Sequence, residues 1–165
     1  MALIDEEIIQ EWLISRGFLT IRGLRKGNRE IDLLGVKSTG PNPEYWHIES
    51  QVSFKPIGHI GGGGAARQTK REMERRIQGY IDRKFNHPQI VDLREKVTAG
   101  VEWKKGFVYA VAAFPYEIEC FRNNGVHVYQ YREIIRDLIG NVHPLKTSSD
   151  ARNIVNIIGY FQTEN

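Results

Sequence analysis

The sequence predicts an α/β fold: a mixed central sheet of about five strands flanked by helices. The order read is helix, three strands, helix, strand, helix, strand, with further helices at the C-terminal end. Three observations predict it. Residues 18–53 hold three short runs rich in β-branched and aromatic residues, separated by turn signals. Residues 65–85 place apolar side chains at helical spacing. Residues 106–114 are almost continuously apolar, the mark of a strand buried on both faces.

Asp5 to Arg16 reads as the first helix, with Asp5 as N-cap and Gly17 as the stop. Ile9, Trp12 and Leu13 turn to a core. Glu6 lies on the side of Leu13, two turns away, and looks inward, whereas Glu7 and Glu11 are expected in solvent. Phe18–Gly23 reads as a strand, and the basic turn Leu24–Asn28 leads to a second. This second strand holds Asp32. The turn-rich stretch 37–44 leads to a third strand, Tyr45–Ser53, which holds Glu49. An antiparallel meander is the simplest arrangement.

The segment Lys55–Ile60 runs into four glycines, Gly61–Gly64, which suit either a closing loop or a slack connector. Ala65–Phe85 is the long amphipathic helix, with Met73, Ile77, Tyr80, Ile81 and Phe85 as its apolar stripe. Pro88 opens a short helix ending near Lys96. After the apolar strand come a helix from Tyr116, a strand Val126–Gln130 and a helix Tyr131–Ile139. The strand-helix-strand unit should be parallel. Asp150 caps a final helix whose Ile154, Ile157, Ile158 and Phe161 face the core or a second copy of the chain in a homodimer.

With 165 residues the chain reads as one domain, 1–165, of which 140–165 is a helical extension. A hydrophobic fraction of 41% and a charged fraction of 26% suit a globular protein. The lone Cys120 excludes an intrachain disulfide and a Cys-rich zinc cluster, and it fits a cytoplasmic location. No apolar run is long enough to span a membrane, and the acidic start does not read as a signal peptide.

The net charge of +3 is small, but its distribution is uneven. Residues 15–29 hold five cations and no acid, and residues 65–84 hold seven cations against three acids. Such runs either focus a field on phosphates or simply solvate a helix face.

Asp32 and Glu49 are the unusual residues. Carboxylates within apolar strands are costly unless partnered. Side-chain alternation puts Asp32 with Leu34 and Val36, and Glu49 with His47, Gln51 and Ser53. Either acid has a structural reading, as a turn cap or an arginine partner. Together, on neighbouring strands, they form a pair able to hold a divalent cation. His47 either touches that site or is a satisfied core residue, and His59 beside the glycines poses the same choice.

The order of elements, together with Glu30-Ile31-Asp32-Leu33-Leu34, Ile48-Glu49-Ser50-Gln51 and the helical Glu6, resembles the PD-(D/E)xK, or restriction endonuclease-like, nuclease superfamily. The likeness covers most of residues 5–140 and is nearest in pattern to small Holliday-junction-resolvase-like members. Two departures stand out. Gln51 occupies the position of the expected lysine, and Asn28-Arg29 precedes the Asp32 motif where a small glycine is often found.

The resemblance implies a metal-dependent endonuclease hydrolysing DNA phosphodiesters, structure-selective or weakly sequence-specific. Mg²⁺ or Mn²⁺ would lie on Asp32 and Glu49, with Glu6 as a direct or water-linked ligand. Gln51 would complete the catalytic set, though its amide only orients water. The missing positive charge would come from the metal, a second metal or a migrated base, for which Lys55 has the right strand parity. The substrate phosphates would meet Arg25, Lys26, Arg29, Lys55, Arg67, Lys70 and Arg71, with DNA favoured over RNA. The alternative is a catalytically inactive relative that binds DNA or a protein partner.

Overall fold

A computed structural model describes residues 4–38, 42–52, 68–140, 150, 153–155 and 158. Ser53, Lys55, His59, Gly61–Gly64 and Arg67 lie outside the described residues. The fold is a mixed α/β arrangement with a five-stranded sheet in the order β1-β2-β3-β4-β5, flanked by helices. β1 (Leu19–Lys26), β2 (Arg29–Lys37) and β3 (Glu44–Gln51) form the expected antiparallel meander. β4 (Lys104–Tyr109) and β5 (Val126–Gln130) then run parallel to β3 and to each other.

The helices are α1 (Ile4–Ser15), α2 (Lys70–Ile81), α3 (Pro88–Val97), α4 (Pro115–Asn123) and α5 (Tyr131–Gly140). A π-helical turn, Asp82–Asn86, follows α2 directly. Residues 150, 153–155 and 158 are helical, and Val155 is buried with α1 and α5. Ile154 points outward at 38% exposure, so it does not belong to the expected inner face.

Two apolar layers sandwich the sheet. α1 and α5 cover one face through Ile9, Trp12, Leu33, Ile48, Val108 and Ile134. α2, the π turn and α4 cover the other through Ile77, Tyr80, Phe85, Phe107 and Phe121. α3 closes a third cluster over Ile31 and Leu34. Phe107 and Val108 fall in opposite layers, which is why β4 reads as unbroken apolar sequence. Gly35 lets α1 approach β2 closely, since a Cβ there would come 3.1 Å from Leu13 Cδ1 and 3.3 Å from Phe18 Cδ1.

Several boundaries differ from the sequence reading. Asp5 lies inside the first turn of α1 rather than before it, where its charge still favours the helix N-terminus. Glu11 is buried rather than solvated, and Glu7 meets Arg22 at 3.4 Å. β1 continues through Leu24–Lys26, because Arg25 and Lys26 ladder with Glu30 and Arg29. α2 starts at Lys70, where Thr69 and Glu72 form a reciprocal capping box. β4 stops at Tyr109, well short of Phe114, where its pairing with β5 ends.

Candidate functional site

Asp32 sits at an interruption in β2. The β1–β2 register runs Arg22↔Leu33 and then Leu24↔Ile31, stepping over Gly23 and Asp32. Gly23 has φ +66°, a conformation glycine adopts without a steric penalty. The β2–β3 ladder begins only at Leu33↔Ile48, so Asp32 and Glu49 face each other just beyond its end. The two-residue alternation also breaks here. Ile31 packs with Leu34 against α3, whereas Leu33 packs in the opposite layer with α1. Ile31 is thus the residue out of step, while Asp32 reaches Lys84 on the side where His47, in register with Leu34, meets Phe85. The irregularity leaves its side chain and backbone available for polar contacts.

Each carboxylate has one oxygen held by the protein. Asp32 Oδ2 accepts the Ser50 backbone N–H at 2.8 Å and the Ser50 hydroxyl at 3.4 Å. Glu49 Oε1 lies 2.8 Å from His47 Nε2 and accepts the Asp32 N–H at 3.4 Å. The other two oxygens converge on one cation. Lys84 Nζ lies 2.5 Å from Glu49 Oε2 and 3.6 Å from Asp32 Oδ1.

Lys84 comes from the π turn after α2. That turn also lays Phe85 on the His47 ring, with centroids 4.7 Å apart. π-helical turns inserted beside α-helices are frequent at functional sites.

Burial governs the electrostatics. It pushes Asp32 up to about 6, aided by Glu49 and opposed by Lys84 and the Ser50 N–H. It pushes Glu49 up to about 7, against the pull of Lys84. Burial alone would lower Lys84, but Glu49 and Asp32 outweigh it and raise that pKa. His47 is fully buried and held well below its ordinary value, first by burial and then by the Arg94 charge. It is therefore neutral, and its Nε2–H donates to Glu49 when that carboxyl is ionised.

Glu6 is raised by burial and next by the charge of Asp32, which places it within electrostatic reach of the pair. No hydrogen bond or ion pair joins Glu6 to Asp32 or Glu49. Among the described residues, no group of three or more His, Cys, Asp or Glu side chains is placed to hold a metal. The structure thus brings together Asp32 and Glu49 but not a complete three-acid cage. The donor set fits a hard divalent cation in one respect: two carboxylate oxygens already converge on a positive charge. Mg²⁺ commonly takes one or two carboxylates and fills its remaining positions with water.

Gln51 follows Glu49 two residues along β3, in register with Tyr109. Of the expected phosphate-binding cations, Arg25 pairs with Glu30 at 2.9 Å and Lys26 with Asp92 at 2.5 Å. Lys70 stacks over the Tyr116 ring at 4.8 Å, and Arg71 is exposed beside the α2–α4 cleft. No helix among the described residues is long and apolar enough to cross a membrane.

Sequence reasoning counted Lys84 only as part of a basic run. A sharper signal was present. Lys84 falls seven residues after Ile77 and three after Ile81, squarely on the buried stripe of α2. A lysine on an apolar stripe calls for a buried acidic partner.

No protein-family model matches the chain, and no curated protein is similar to it. Among solved structures, the chain is similar to the crystal structure of a protein of unknown function, AF1548. The two are 11% identical, with a TM-score of 0.49, over 95% of this chain and 79% of that one. Nothing about function follows from that likeness.

Proposed function

We propose that this protein is a metal-dependent phosphodiesterase acting on nucleic acid, built on a restriction endonuclease-like core, with Asp32 and Glu49 as its metal-binding carboxylates. The observation that carries this reading is the convergence of Asp32 Oδ1 and Glu49 Oε2 on the ammonium of Lys84. Lys84 is the migrated base that Gln51 calls for: it restores from a helix the charge that the strand lacks. Asp32 and Glu49 would hold Mg²⁺ or Mn²⁺, which would supply Lewis-acid polarisation of the scissile phosphodiester.

The chain's own groups have distinct roles. Ser50 and His47 fix the rear oxygens, so both front oxygens keep their aim. Lys84 would supply positive charge beside these carboxylates, where negative charge develops on the phosphoryl group. Gln51 orients water by hydrogen bonding. Glu6, at the edge of Asp32's field, is a peripheral acid able to act through water. DNA is the favoured substrate, on the strength of the resemblance.

One observation favours a second reading. Lys84 already pairs with both carboxylates and offsets one of their two charges, as a permanent structural counter-ion would, and this suits a nuclease-like fold without chemistry. Calorimetric titration of Mn²⁺ into the wild type and Asp32→Asn separates the two. The phosphodiesterase reading expects binding that Asp32→Asn abolishes. Absence of Mn²⁺ binding to the folded wild type supports the inert counter-ion.

A further inference from the structure

α3 brings a buried guanidinium to the sheet without an acid to meet it. Arg94 follows Leu93, which packs with Ile90 and Trp103 over Ile31 and Leu34. Arg94 is only 9% exposed, yet its side chain makes no ion pair or hydrogen bond with a described residue. Its Nε–H is buried and meets no acceptor. The indole N–H of Trp103, a residue 7% exposed, is buried and unmet in the same way. Buried donors left unpaired are rare, and a buried charge left unpaired is costlier still.

The sheet beneath adds a third donor. Trp103 immediately precedes β4 and meets the Tyr45 ring edge-on at 5.6 Å between centroids. Two residues on, Lys105 lies in register with His47, itself two residues after Tyr45. Alternation along both strands therefore turns Trp103, Lys105 and His47 to the face that α3 and the π turn cover. Lys105 Nζ donates to Asn86 Oδ1 at 2.8 Å, and Asn86 is exposed, so this end of the cluster opens to solvent. Burial lowers the pKa of both His47 and Lys105, and the Arg94 charge is the next cause for each. The acids whose charge acts on the two cations are Glu95 for Arg94 and Asp82 for Lys105. Both are engaged elsewhere. Glu95 accepts the Gly100 N–H at 3.2 Å, and Asp82 accepts the side-chain amides of Gln78 and Asn86 at 2.9 and 3.0 Å.

We propose that Arg94, Trp103 and Lys105 form a binding site for hydrogen phosphate. Donors from α3 and the start of β4 would hold its anionic oxygens. A guanidinium fork matches two phosphate oxygens, and an indole N–H can only donate. His47 Nδ1 is also buried without a partner, and in the neutral ring that donates from Nε2 it is a bare acceptor. Hydrogen phosphate carries one O–H to give it. Sulfate, of the same charge and shape, carries none. The proposal needs no metal and no phosphodiester chemistry, so it and the phosphodiesterase reading can each fail alone.

The full chain is titrated with sodium phosphate in HEPES and EDTA at pH 8, and its indole N–H groups are followed in ¹⁵N–¹H correlation spectra. Trp103 is the reporter. Trp12 and Trp46 are the controls, since their N–H groups already donate to Asp137 and Glu44 at 2.7 and 3.3 Å. The expected result is a saturable shift of the Trp103 signal with the controls unmoved, and a melting temperature that rises with phosphate. Sodium sulfate at the same ionic strength should bind several-fold more weakly. Arg94→Met keeps the apolar stem and removes the charge, and it should abolish the shift. Lys105→Met, at the open end, should weaken binding roughly tenfold, and it decides the matter if Arg94→Met does not fold. A Trp103 signal that phosphate leaves unmoved would overturn the proposal. So would binding unchanged in the folded variants, or sulfate bound as tightly as phosphate. Thymidine 5′-monophosphate bound more tightly than phosphate would overturn it too, and would give the site to a nucleotide.

Discussion

Lys84 Nζ lies 2.5 Å from Glu49 Oε2, joining a helical turn to a strand through an ion pair whose carboxylate is wholly buried. Asp32 Oδ1 lies 3.6 Å from the same nitrogen. Two acids and one base from three segments thus share a small volume. Breaking such a pair by removing one partner costs more than the pair's net worth, because the remaining charge is stranded. Lys84→Met should therefore destabilise the protein by about 1–3 kcal/mol at pH 8. At pH 5, where both carboxyls hold their protons, the loss should shrink towards zero. Urea denaturation at the two pH values measures the difference.

Asp32 ionises near pH 6 in the fold, above the ordinary carboxylate value. The native state holds this proton more tightly than the unfolded chain does. The associated stability is complete below about pH 4 and is lost as pH rises through about 6. Asp32→Asn mimics the protonated form at every pH. Its melting temperature relative to wild type should rise between pH 4 and 6 and then level off. An advantage constant across that range would contradict the raised Asp32 pKa.

His47 should stay neutral at pH 8, with its proton on Nε2 facing the ionised Glu49 carboxylate and a bare Nδ1, since Nε2 lies 2.8 Å from Glu49 Oε1 and the ring is fully buried. Two-bond ¹⁵N–¹H correlation spectra report the tautomer directly. The remaining histidines among the described residues, His87 and His127, lie nearer solvent and serve as internal references. A His47 that titrates near pH 6.5 would contradict the arrangement.

Much of the fold was legible because the sheet and helix periods are plain. The stripe Met73, Ile77, Tyr80, Ile81 and Phe85 is buried as read, and Phe107 and Val108 fall in opposite layers. The pairing of Asp32 with Glu49 was legible because acids in apolar strands are rare enough to notice. Lys84 was missed because neighbouring cations of α2 concealed its place on the buried stripe.

The break at Asp32 was missed because a two-residue alternation assumes a regular strand. Gly23 opposite it carries the irregularity, and only the register reveals that the two are neighbours.

The most direct measurement is the initial rate of supercoiled-plasmid nicking in Mn²⁺ at pH 8, for wild type, Lys84→Met and Asp32→Asn, each shown to be folded. The account predicts nicking by the wild type that EDTA abolishes, and a fall of roughly a hundredfold or more in each variant. A folded wild type that nicks in neither Mn²⁺ nor Mg²⁺, or nicking that survives undiminished in Lys84→Met, would contradict it.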